Sequence, residues 1–249
     1  MVLRLGAEYE EKTQALKAGS FLIQPEASMK EIVDTVTRGG ASTCGTEVVY
    51  RIGINQISTQ VRELDPATSN YVERAEFTPG VDDVPEIYTQ TKTKADTRYR
   101  IAVAEGVTSW QIVEALKSID LLEGTVAAVP AEGTLAPDSY EATKGQDRNT
   151  ILALMQAVQE QRLAEAWEAR DPGLPIETPE EMLILASIIE KETGVPEERR
   201  QVASVFINRL NQGMRLQTDP TVIYGITKGE GVLGRGLRRS ELRAETPYN

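Results

Sequence analysis

The sequence predicts an α+β protein in which small strand-turn-helix units precede a mostly helical region with short strands. Two observations carry this expectation. Residues 21–36, "FLIQPEASMKEIVDTV", and 100–116, "RIAVAEGVTSWQIVEAL", each join a short β-like run to an amphipathic helix through a Glu-small pair and a hydroxyl residue. Ile32, Val33 and Asp34 fall over Ile112, Val113 and Glu114 when one extra residue is allowed upstream, as in two copies of one small unit. From residue 149 to 211, by contrast, apolar residues recur at helical spacing between proline and glycine breaks.

Between the two copies, residues 41–98 are polar and β-prone in places. Val48, Tyr50 and Ile52 alternate as in a half-buried strand, whereas Ile54, Ile57, Val61 and Leu64 follow helical spacing. "TPGVDDVPEIYTQTKTKADT", from its Pro, Gly and Thr content, reads as a turn followed by exposed strand or linker. After the punctuated loop "PAEGTLAPDSYEATKG" (130–145), Asn149 opens a long helix with Ile151, Leu154, Met155 and Val158 facing inward, and Pro172, Gly173 and Pro175 end it. Thr178 is the N-cap of the next helix, with Pro179 at its first position and Glu181 completing a capping box. Gly194 and Pro196 stop that helix. A further helix runs from about Pro196 to Asn211 on Val202, Val205, Phe206 and Arg209 or Leu210, and Gly213 closes it.

With 249 residues and 40% hydrophobic content, the chain is long enough for a real core and two or three subdomains. The 27 Lys and Arg face 38 Asp and Glu, a formal net charge of -11, and no basic tract tracks a phosphate backbone, which argues against nucleic acid as a partner. Histidine is absent, removing imidazole bases, Ser-His-Asp and Cys-His pairs and most zinc and non-haem iron sites. Chemistry must rest on carboxylates, hydroxyls, lysine or the backbone. The single cysteine, Cys44 in "GGASTCGTE", has no partner for an intramolecular disulfide and reads as a small loop residue. No run of about 18 apolar residues marks a membrane span, and the start reads as neither signal peptide nor span.

The stretch with most to explain is "LASIIEKETG" (185–194), where an aliphatic helix runs into two glutamates around a lysine. Glu190 shares a helical face with Leu183, Ala186 and Ser187, apolar but cut back to small side chains. A carboxyl in such a niche is desolvated, stays protonated further up the pH scale and serves as a general acid. Glu192 is a second candidate. The plainer reading, a solvated glutamate in the last turns of a surface helix, is the commoner one on spacing alone. Glu197, Glu198, Arg199 and Arg200 likewise read as a charged surface face rather than a substrate clamp. Downstream, "INRLNQGMRLQTDPTVIYGI" strings Asn208, Arg209, Gln217, Thr218, Asp219 and Tyr224 over a glycine-turned loop, side chains suited to an amide-bearing sugar.

The block "LASIIEKETGVPEERRQVASVFINRLNQGMRLQTDPTVIYGI" (185–226) resembles the signature of the endolytic murein transglycosylase, or YceG-like, family. "KAGSFLIQPEASMKEIVDTVTRGG" (17–40) is similar to the family's segment ahead of its LysM-like module, "VAEGVTSWQIVEALKS" (103–118) to that module, and "PAEGTLAPDSYEATKG" to its Pro-Glu-Gly loop. The resemblance implies a membrane-proximal α+β region over 1–98, with an insertion at 41–98, a LysM-like module and connecting loop over 99–145, and a catalytic domain over 146–249. It implies cleavage of nascent peptidoglycan between N-acetylmuramic acid and N-acetylglucosamine, leaving 1,6-anhydromuramyl ends and terminating strand elongation. Carried over, Glu190 is the catalytic residue, and Gln217, Asp219, Asn208, Tyr224 and Glu132 are substrate-binding candidates. Asn208 and Asp219 read equally as caps of helices or turns, and Tyr224 as core. No metal or cofactor is implied. Cell-wall synthesis proteins are implied as neighbours, and the setting is the outer, periplasmic face of the bacterial inner membrane, reached by a single-pass N-terminal anchor. The family pattern also continues past "ETPYN", so the chain reads as a trimmed piece of a longer protein.

Two alternatives remain open at this level. One is a noncatalytic LysM-like peptidoglycan-binding or scaffold protein in which Glu190 merely ends a helix. The other is a hydrolytic muramidase, which needs a second carboxylate, with Asp219 the nearby candidate.

Overall fold

The computed structural model describes residues 26–37, 45–65, 68, 70–94 and 97–248. Cys44 and residues 21–25, the strand half of the first repeated unit, lie outside them. The described residues form eight α-helices and one five-stranded sheet, an α+β architecture. The chain divides into two compact units, Met1–Arg51 with Ser58–Ile101, and Ile52–Ile57 with Ala102–Asn249.

The first unit carries α1 (Met29–Thr37), most of β1 (Thr46–Ile52) and β2 (Ile57–Asp65), β3 (Asn70–Phe77), α2 (Glu86–Thr91) and most of β4 (Thr97–Val103). Its strands lie in the order β3-β2-β1-β4. β1 is central, and Thr46 through Tyr50 are buried without a break because both faces are covered. Glu47 is among them, its side chain only 2% exposed. It is held by Arg100 of β4 at 3.2 Å and Arg62 of β2 at 3.7 Å, the charge pairing that a buried carboxylate requires. At the edge, β3 pairs antiparallel with β2 from Thr59↔Phe77 to Asp65↔Asn70, with a bulge between Val61 and Arg62. Glu73, Arg74 and Glu76 charge this exposed strand and discourage edge-to-edge pairing.

Two expectations fail here. The helical spacing of Ile54, Ile57, Val61 and Leu64 is overruled, since Ile57–Asp65 is β2. Its β-branched Ile57, Thr59 and Val61 suit a pleated strand, and the ladder to β3 satisfies its backbone. The stretch read as exposed strand or linker contains α2, because Tyr88 is buried there. Its hydroxyl lies 3.1 Å from that of Tyr50, and its ring meets Phe77 edge-on with centroids 5.0 Å apart.

In the second unit, Thr108 caps α3 (Ser109–Ser118) through a capping box with Gln111. β5 (Ser139–Ala142) follows beside the end of β4, where the Val103 amide donates to Asp138 O at 2.8 Å. Asp147 caps the long α4 (Arg148–Glu168). Arg148 sends its guanidinium back to the carbonyls of Leu116 (2.7 Å), Gly124 (2.9 Å) and Ile119 (3.0 Å), supplying donors that the end of α3 lacks. Ile112, Val113, Leu116, Leu135, Ile151, Leu152 and Met155 are buried. Leu154 is 48% exposed, contrary to expectation, because α4 turns Leu152 rather than Leu154 to the core.

The helical hairpin forms as its caps predict. α5 (Pro179–Glu192) starts on the Thr178–Glu181 capping box, a 3₁₀ turn spans Pro196–Glu198, and α6 runs Arg199–Asn211. α7 (Asp219–Thr227) and α8 (Arg239–Arg243) follow. Leu185, Ile188 and Phe206 are the buried centre of this cluster, with Val202 and Leu210 packed against it, while Val205 is 49% exposed on the outer side of α6. No described helix is long and apolar enough to cross a membrane.

Candidate active site

Leu185 and Ile188 face the core from α5, and Glu190 projects from the other side of the helix, its side chain 30% exposed. The expected niche is not enclosed. Ala186 and Ser187 are exposed, while Leu183 of that face lies against Gly133, whose Cα leaves no room for a methyl group beside the leucine. What engages Glu190 instead is Arg199. The hydroxyl of Thr193, the buried C-cap of α5, donates to Glu198 at 2.8 Å and pins the 3₁₀ turn. That turn delivers Arg199, the first residue of α6, so that Nη2 lies 3.0 Å from Glu190 Oε2 and 3.7 Å from Glu105 Oε2. Arg199 therefore belongs to the site and not to a solvated charged face. Among the described residues its Nε is buried with no hydrogen-bond partner.

Next to Glu190, Lys191 turns its ammonium onto Gly106 O at 2.5 Å. Partial desolvation lowers its pKa, against the opposing pull of Glu190 and Glu132. Glu132 stays in touch with solvent, yet its carboxyl is partly desolvated, and this raises its pKa against the amide of Ser109, which donates to Oε2 at 3.0 Å. Gly229, at φ +79°, lies over the other oxygen so closely that a Cβ would come within 2.7 Å of Glu132 Oε1, which reserves the position for glycine. Thr108 fixes that glycine by donating to its carbonyl at 2.6 Å. Tyr224, from α7, also borders Gly229, meets Tyr248 edge-on at 5.5 Å, and has its hydroxyl pKa raised by desolvation and by Glu132.

Gln217 and Asp219 flank Thr218, which is tied to the C-terminal turn of α5. Thr218, buried, donates its hydroxyl to Glu192, which ties the α7 N-terminus to α5 and gives Glu192 a structural partner. Gln217, just before it, is exposed with φ +50°, a left-handed conformation that costs a non-glycine residue about 1 kcal/mol or more. Asp219 is the exposed first residue of α7, and Asn208 lies exposed on α6. Among the described residues no hydrogen bond or ion pair joins Asn208, Gln217 or Asp219 to Glu190. Glu132 and Tyr224 do come together, and Lys191 connects their group to Glu190. Sequence reading overlooked Glu105 and Tyr248, which carry no motif of their own and are recruited by distant segments.

The sequence profile of the YceG-like family matches residues 76–249. The chain belongs to the YceG-like family. Two Streptococcus pneumoniae proteins, from a serotype 2 strain and a second strain and both named endolytic murein transglycosylase, are each 25% identical over 261 aligned positions covering the whole chain. A Bacillus subtilis protein of the same name is 44% identical over 68 residues, 27% of the chain and 18% of that protein. The chain spans 42% of the length of the pneumococcal relatives. The YceG-like match begins at the end of β3, so every residue of the Glu190 and Glu132 groups lies within it.

Proposed function

We propose that this YceG-like chain carries the catalytic centre of an endolytic murein transglycosylase, with Glu190 as its single acid and base. The observation that carries this reading is the setting of Glu190. Arg199 aims it through one oxygen, Oε2, while Oε1 has no hydrogen bond among the described residues and is open to a sugar. In the protonated state Glu190 gives its proton to the glycosidic oxygen between muramic acid and glucosamine. The C1–O bond then breaks, with its electron pair staying on the departing oxygen. The resulting carboxylate takes the proton of the muramyl 6-hydroxyl as that oxygen attacks C1, which closes the 1,6-anhydro ring and restores protonated Glu190. No water is consumed, and no second carboxylate is needed, unlike ordinary glycoside hydrolysis.

Gln217, Asp219 and Asn208 hold N-acetyl and hydroxyl groups in this proposal, Tyr224 stacks on a sugar face, and Glu132 lines the opposite wall. The strained backbone of Gln217 and the contact of Leu183 with the Glu132 loop support these roles. The proposal also includes the LysM-like character of residues 99–145 after a membrane-proximal region, nascent peptidoglycan as substrate, nearby cell-wall synthesis proteins, and attachment at the periplasmic face of the bacterial inner membrane. The resemblance of the quoted motifs supports these. Incubating purified peptidoglycan with the protein and with Glu190→Gln tests the core of it: the variant should lose turnover by about 10²–10⁴-fold while remaining folded. Undiminished turnover in Glu190→Gln would remove Glu190 from the role.

Glu132 favours one second reading. Lys191 faces both Glu132 and Glu190, which makes Glu132 the second carboxylate of a hydrolytic muramidase in place of Asp219. Reducing muramic ends among the products would establish that reading in place of the first.

A further inference from the structure

We propose that Arg199 is a positioning residue that holds Glu190 and passes to Glu105 when a glycan strand enters. The inference rests on Glu190 acting as acid and base. One atom, Arg199 Nη2, already faces both carboxylates, at 3.0 Å from Glu190 and 3.7 Å from Glu105. A carboxyl that must give a proton to a sugar oxygen cannot remain paired to a guanidinium through its working step, so the cation needs another place to go. Glu105, with its side chain 66% exposed, is that place, and it is held ready. Lys191 donates to Gly106 O at 2.5 Å and so fastens the loop bearing Glu105 to the helix bearing Glu190.

The pivot is equally well defined. The Thr193–Glu198 hydrogen bond fixes the turn on which Arg199 stands, leaving its side chain as the moving part. Among the described residues Arg199 Nε has no hydrogen-bond partner, and the swing breaks the contact with Glu190. The charged groups around Glu190 are Arg199 from α6, Glu105 from the loop before α3, Lys191 from α5 and Glu132 from the loop before β5. Lys191 is engaged by Gly106, and Arg199 is the cation free to exchange.

Two measurements on the purified protein test this. In steady-state digestion of peptidoglycan, Glu105→Gln should lower kcat about five- to tenfold with KM little changed in the wild-type background, and have no effect in an Arg199→Gln background. Arg199→Lys, which keeps the charge, should retain more of kcat than Arg199→Gln. Additive effects of the two substitutions, or a loss confined to KM or to thermal stability, would overturn the clamp. In nitrogen-15 spectra, the Arg199 Nε–H signal, assigned by its absence in Arg199→Lys, should shift on addition of chitotetraose, and this response should vanish in Glu105→Gln. A shift without turnover would sink the cleavage reading and leave only a glycan-driven passage of Arg199 from Glu190 to Glu105. Turnover with an unmoved Nε–H signal would sink the clamp alone, and failure to bind any glycan would overturn both.

Discussion

Glu132 gives the most direct residue-scale test of the site's electrostatics. Its folded-state pKa lies above the ordinary 4.5, chiefly because its carboxyl is partly desolvated. Between 4.5 and that raised value the folded protein binds more protons than the unfolded chain, so stability falls as pH rises through this window. Glu132→Gln keeps an acceptor for Ser109 N and cannot ionise. Its melting temperature relative to the wild type should therefore climb across the window and level off above it. A constant difference at all pH values would mean that Glu132 titrates normally. Gly229 makes a second prediction at this scale. Gly229→Ala combines a positive φ with a Cβ that would crowd Glu132 Oε1, so it should destabilise by about 1–3 kcal/mol and disturb Glu132, as thermal denaturation would show.

Among the elements, α5 and the sheet around β1 respond to different forces. Thr178→Ala removes the hydroxyl that accepts Glu181 N at 3.1 Å and should cost about 1 kcal/mol in denaturant unfolding. In the sheet the order of effects is the test. Arg100→Leu leaves Glu47 buried with only the more distant Arg62 and should cost on the order of 3 kcal/mol. Glu47→Gln leaves two arginines that still reach water and should cost less, nearer 1 kcal/mol. The reverse order would deny that Glu47 depends on Arg100. The hairpin was legible in the sequence because its punctuation is local: a capping box, a proline at the first turn and terminal glycines decide α5 and α6 within a few residues. β2 was not legible, since Ile57, Val61 and Leu64 satisfy helical spacing by coincidence and pairing with β3 decides their conformation. α2 escaped notice because its buried aromatic anchor, Tyr88, gains its meaning from Tyr50 and Phe77 elsewhere in the chain. The site was half legible. Glu190, Glu132 and Tyr224 were named in advance, but the Arg199–Glu190–Glu105 grouping depends on a turn and a loop brought together from opposite sides of α3 and α4 in sequence.

At the scale of the whole molecule, both charged groups of the proposed centre fall in the second compact unit and within the YceG-like match, while the first unit offers a sheet braced by one buried carboxylate. In the proposed function, a histidine-free chain with Glu190 aimed by Arg199 runs one-carboxylate chemistry, in which a sugar hydroxyl replaces water as nucleophile. The central claim therefore concerns where the new C1 oxygen originates. We would digest peptidoglycan with the purified protein in heavy-oxygen water and weigh the released fragments by mass spectrometry. The account predicts 1,6-anhydromuramyl ends without heavy oxygen, absent with Glu190→Gln, whereas reducing muramic ends carrying heavy oxygen would contradict it.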